Sequence, residues 1–94
     1  MNVKVNTELK TLSGEVLLEN EKTVLLKTII VNALLFPVEE EEGKLKAKKY
    51  ALAVKTEAAS DVCDYELEDI VLIKELIGKF FTTIIVGQCY ELLG

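Results

Sequence analysis

Carboxylates are the first residues in this chain whose spacing could do chemistry. Asp61 with Asp64, and Glu66 with Glu68 and Asp69, lie near enough to be weighed as ligands for a hard cation, but no D-x-[DN]-x-[DN]-G register surrounds them. Helix capping and solvation explain them more simply. The nucleophiles on offer are Ser13, Ser60 and Cys63, and none can have an imidazole base because the chain contains no histidine. Asp61 and Asp64 beside Cys63 are the reverse of the cationic surroundings that activate a thiol. Cys63 and Cys89 are far apart and form no C-x-x-C motif, so two reduced, partly buried thiols are expected. The glycines are isolated and build no phosphate loop. No catalytic residue, metal ligand or cofactor is expected, and the chain reads as a non-enzyme.

Charge is concentrated in PVEEEEGKLKAKKY, where Glu39 to Glu42 precede Gly43 and four lysines follow within six residues. Glu40 with Lys44 and Glu42 with Lys46 have the acid-before-base spacing of four that supports a helix. The stretch therefore reads first as a helix entry. Lys44, Lys48 and Lys55 remain as an edge stripe that could meet an acidic protein or a small anion. All eleven positive charges are lysines and the net charge is −5, so the forked guanidinium that grips phosphate is missing. Nucleic acid is not an expected partner, since phosphate neutralisation supplies most of that affinity.

The elements that must position these groups begin with alternation. Val3 and Val5 alternate with Asn2, Lys4 and Asn6, and Ser13-Gly14 supplies turn chemistry, which predicts an antiparallel unit over roughly residues 2–25. LLKTIIVNALLF then places Leu26, Ile29, Ile30, Ala33 and Leu34 at helical spacing until Pro37 stops it, with Asn32 expected to be satisfied inside the core or by neighbouring backbone. A second helix is predicted over 44–56 with Ala47, Tyr50, Ala51 and Val54 as its apolar face. EAASDVCDYE reads as a loop that can hold a short strand near Val62 and Cys63. A third helix starts near Glu66 and ends at Gly78, and a fourth follows the N-cap Thr82, with Gly87 expected to admit a closely packed neighbour. The predicted fold class is α+β: a small N-terminal antiparallel β unit followed by about four short helices around one core, in a single domain of 94 residues.

Half of the residues are hydrophobic, and the C-terminal KFFTTIIVGQCYELLG is especially rich in them. Phe80, Phe81, Tyr90 and Leu93 are the candidate anchors of a protein interface, and a homo-oligomer is expected. The longest uncharged run, Thr28 to Val38, is about half the ~20 residues of a bilayer span, so no membrane insertion is expected. MNVKVNTELK lacks the apolar core of a signal peptide, which points to the cytoplasm.

Three blocks, NALL (32–35), EDIVLIKELIGK (68–79) and TTIIVGQCYELLG (82–94), preceded by a short β unit, resemble a family of small accessory proteins of tailed bacteriophages and prophages. Members of that family more often carry Ser-Pro where this chain has Thr82-Thr83, and either pair suits an N-cap followed by a first helical residue. The resemblance rests on apolar and helix-end patterns rather than a catalytic signature, and the family has no defined biochemical role. It implies a phage protein in the host cytoplasm. The function expected is protein–protein interaction, either modulating a host or defence factor or assisting particle assembly. The alternative is an oligomeric protein that sequesters a nucleotide with Lys44, Lys48, Lys55 and stacked tyrosines.

Overall fold

Val3 and Val5 point inward while Asn2, Lys4 and Asn6 stay exposed, the two-residue period of a half-buried strand. In the computed structural model, which describes residues 1–94, this stretch forms β1 (Asn2–Lys4). Its partner is not the segment that follows it. β1 pairs antiparallel with β4 (Val62–Asp64), setting Asn2, Val3 and Lys4 opposite Asp64, Cys63 and Val62. The loop after the second helix thus supplies the strand that closes the main sheet.

Between β1 and the first helix the chain makes two tight reversals. A lone bridge between Lys10 and Val16 closes the Ser13-Gly14 turn, where Gly14 takes φ +88°. β2 (Leu18–Glu19) and β3 (Lys22–Thr23) then form a two-residue hairpin whose central residues, Asn20 and Glu21, both have positive φ. Leu9 and Val24 are buried and Leu17 packs on the core, and backbone hydrogen bonds link the three: Leu9 N–H to Val24 O at 2.9 Å and Leu17 N–H to Leu9 O at 2.8 Å. The predicted antiparallel unit is therefore present, except that its first strand belongs to a sheet completed from the middle of the chain.

Four helices follow, as the α+β class requires. In α1 (Leu26–Leu35) the predicted stripe, Leu26, Ile29, Ile30, Ala33 and Leu34, is the buried one. Asn32 lies on the exposed side rather than in the core. α2 (Gly43–Ala58) is turned over relative to its predicted face. Lys49, Leu52, Ala53 and Thr56 point inward, while Ala47, Tyr50, Ala51 and Val54 face outward. Two polar side chains can occupy the inner face because each is satisfied there. Lys49 meets the Glu41 carboxylate, and the Thr56 hydroxyl donates to Leu52 O at 2.8 Å and shares a 2.5 Å hydrogen bond with the Tyr65 hydroxyl.

α3 (Leu67–Phe80) starts where the Asp69 carboxylate accepts the Glu66 N–H at 3.0 Å, half of a capping box. It buries Ile70, Ile73, Leu76 and Ile77, and it runs through Gly78 instead of ending there. α4 (Thr83–Leu93) begins after Thr82 as predicted, but the Thr82 side chain makes no capping hydrogen bond. The roles expected of the glycines are exchanged. A Cβ on Gly87 would meet nothing within 4 Å, whereas one on Gly78 would lie 2.5 Å from the Tyr90 hydroxyl. It is Gly78 that admits the closely packed neighbour. No helix is long and apolar enough to cross a membrane.

Candidate interaction surface

Pro37 is the residue that builds an apolar corner of the surface. The residue before a proline is driven out of the helical region, and Phe36 sits at φ −63°, ψ 131° at the end of α1. The turn leaves Leu35 and Phe36 outside, 56% and 44% exposed. α3 carries past Gly78 to Phe80, whose ring stacks on Phe36 with centroids 4.5 Å apart and planes 9° from parallel. The Lys79 ammonium lies 5.6 Å from the Phe80 centroid and caps this aromatic pair.

Leu35, Phe36 and Pro37 form a ridge between two open clefts. One, of about 260 Å³, is lined by Leu34, Val38 and Tyr50 and by the Lys49–Glu41 pair. The other, of about 540 Å³, is lined by Ile29, Phe81 and Ile85, with Asn32 and Glu19. An apolar ridge with hollows on both sides offers dispersion contact and water release. Shape and chemistry alike suit a protein side-chain surface.

Of the residues singled out in the sequence, Phe80 and Phe81 belong to this surface. Tyr90 does not; its hydroxyl donates to Lys74 O at 2.9 Å and its ring lies 5.8 Å from the Lys74 ammonium. Leu93 is only 1% exposed and is a core residue, so it is withdrawn as a surface contact. The lysine stripe does not act together. Lys48 stands 4.0 Å from both Glu68 and Asp69 at the start of α3, and Lys55 lies 5.6 Å over the Tyr65 ring. Lys44 is exposed and pairs with no acid. The pairs Glu40–Lys44 and Glu42–Lys46 do not form either, because α2 starts at Gly43 and Glu40 takes φ +58°. The glutamate run instead sends Glu41 to Lys49, eight residues on.

Leu35, Phe36 and Tyr50 were not among the predicted contacts. Their signal was LLFP, a helical apolar run that a proline must break outward. Nothing in the sequence marks Gln88, yet its amide pairs with the Lys10 backbone in both directions, accepting from N–H at 2.8 Å and donating to C=O at 2.6 Å. It ties the first hairpin to α4.

Cys63 and Cys89 are free and buried, and burial pushes the Cys89 thiol up to about 11. Burial also raises the Tyr65 phenol, an effect that the Thr56 hydrogen bond partly opposes. No group of three or more His, Cys, Asp or Glu side chains is placed to hold a metal ion. Comparison with protein-family models, with curated proteins and with solved structures finds no match for this chain.

Proposed function

We propose that this chain is a small, non-enzymatic phage protein that acts in the host cytoplasm by binding another protein through the Leu35–Pro37 ridge and its two clefts. The exposure of Leu35 and Phe36 beside Phe80 and Phe81 carries this reading, because a single well-placed aromatic cluster on a small domain is what binding partners anchor on. The phage origin rests on the NALL, EDIVLIKELIGK and TTIIVGQCYELLG blocks. The partner is a host or defence factor or a component of particle assembly. Nucleotide sequestration draws less support, since Lys48 and Lys55 already face groups of their own chain.

The test is affinity capture from phage-infected cells with the wild-type chain and with Phe36→Ser. A protein recovered in stoichiometric amount by the first and lost by the second is the expected result. The reading fails if the two proteins recover the same species in the same amount. Genetic neighbourhood, among virion genes or among early anti-host genes, separates the two classes of partner.

A further inference from the structure

Away from the Leu35–Pro37 ridge, the face where the first hairpin meets α4 carries both halves of a contact, and we infer that a second copy of this chain docks there about a two-fold axis. Leu12, 96% exposed, is the most exposed large hydrophobic side chain of the molecule. The turn that carries it is braced. Thr11 N–H donates to Glu15 O at 2.7 Å, Gly14 N–H to Thr11 O at 3.0 Å, and Glu15 N–H to the Thr11 hydroxyl at 3.2 Å. Gln88 fastens the strand leading into this turn to α4 through the Lys10 backbone. A leucine held out on a braced turn brings apolar area to a partner with little backbone freedom left to lose, as an interface anchor does.

Beside this knob lies a hollow. A cleft of about 600 Å³ is lined by Thr83, Ile84, Gly87 and Glu91 of α4 and by Lys10 and Leu12 of the hairpin. A Cβ on Gly87 would meet nothing within 4 Å, so the helix surface there is bare. Knob and hollow on one face suit an isologous contact, because a two-fold axis brings the knob of each copy to the hollow of the other. The charges obey the same rule. Lys10 and Glu91 are the one cation and the one anion of the cleft; both are exposed, and neither forms an ion pair within its own chain. A two-fold axis sets Lys10 of each copy against Glu91 of the other, two ion pairs from one contact. A partner of a single charge sign matches one of these groups and opposes the other. This cleft shares no lining residue with the clefts of the ridge, so pairing does not draw on the proposed binding face.

Sedimentation of the whole chain over a concentration series from about 1 μM to about 1 mM reads the pair directly. A species of twice the 10.5 kDa of one chain should form as concentration rises. Leu12→Ser and Gly87→Gln should each raise its dissociation constant at least about tenfold. Both variants keep the fold, since Leu12 faces solvent and the space over Gly87 is open. Lys10→Glu alone and Glu91→Lys alone should weaken pairing by at least about tenfold as well, because each sets like charges together at two places. The Gln88 clamp holds only the Lys10 backbone and survives the first of these. An equimolar mixture of Lys10→Glu chains and Glu91→Lys chains should pair again, since positions 10 and 91 then oppose with opposite charges at both places. The double variant should pair like the wild type.

The mass of a single chain throughout the series overturns the inference. So does a dimer that Leu12→Ser and Gly87→Gln leave unchanged, because it pairs through another face. Weakening by Leu12→Ser without recovery on mixing the two charge variants overturns the two-fold arrangement. Species that keep growing with concentration indicate a head-to-tail contact and overturn it as well.

Discussion

Lys49 is the residue whose environment departs furthest from its type. A lysine ammonium inside a core is tolerated only when paired, and Glu41 is also nearly buried beside it. Glu41→Gln should therefore destabilise the chain by about 3 kcal/mol, because it strands a buried charge. The double variant Glu41→Gln, Lys49→Met should recover most of that loss, and urea denaturation of the three proteins checks both statements. Cys89 makes a second residue-scale prediction. Its thiol is held near 11 in the fold against an ordinary value of 9.0, so between those pH values the folded chain keeps a proton that the unfolded chain releases. Stability from this group is complete below pH 9 and declines as pH rises towards 11, by about 2 kcal/mol at pH 10.5. Denaturant midpoints at pH 8.5 and 10.5 should show a steeper fall for the wild type than for Cys89→Val. Burial of Cys89 is expected from the sequence, but that of Lys49 is not, since it is one of four lysines between residues 44 and 49 that read as surface charge. A lysine's burial depends on which carboxylate reaches it through space, and Glu41 does so from outside the helix.

At the level of elements, periodicity located every helix and misjudged one face. α1 and α3 bury the stripes that their spacing predicts because each has a single apolar side. α2 has two candidate sides, one of Ala47, Tyr50, Ala51 and Val54 and one of Leu52 and Ala53 interrupted by Lys49 and Thr56. Only the partners Glu41 and Tyr65 make the second side buriable, and neither lies within the helix. The glycines carry the next prediction. Gly87→Ala should stabilise α4 by about 0.5–1 kcal/mol, since the added methyl meets nothing. Gly78→Ala should forfeit the same gain because it collides with the Tyr90 hydroxyl, and Gly78→Ala with Tyr90→Phe should restore it; thermal melts of the four proteins decide this. In the β2–β3 turn, Glu21 at φ +64° has the conformation that glycine adopts without strain. Glu21→Gly should raise stability by about 0.5–1 kcal/mol in the same assay. The binding face was half visible: Phe80 and Phe81 stand out in the sequence, but their company with Leu35 and Phe36 depends on α3 running two residues past Gly78.

Across the whole molecule, the β1–β4 pairing joins the first residues to the middle of the chain, and further bonds reinforce it. Val5 N–H donates to Asp61 O at 3.0 Å, Tyr65 N–H to Met1 O at 2.9 Å, and the Asn6 side-chain amide to Ser60 O. Lys27 N–H donates to Val5 O at 2.7 Å, so the same segment is also fastened to the start of α1. Opening β1 therefore breaks contacts with two parts of the fold together, the segment around β4 and the start of α1. Hydrogen exchange should find the Val5 and Tyr65 amides opening only with global unfolding, at the same free energy as the α3 core. The Gly14 amide, in the turn closed by one bridge, should exchange through local opening at much lower cost.

During synthesis the same connectivity imposes an order of events. Val3 and Val5 leave the ribosome early, but the strand that covers them starts at Val62, nearly sixty residues later. At roughly 5–20 residues per second, they wait about 3–12 seconds without that strand. The alternating polar residues Asn2, Lys4 and Asn6 keep that waiting segment from being a continuous apolar strand edge. The nascent chain thus remains unable to close its core until translation has passed α2, and folding begins as a late event rather than from the N-terminus onward.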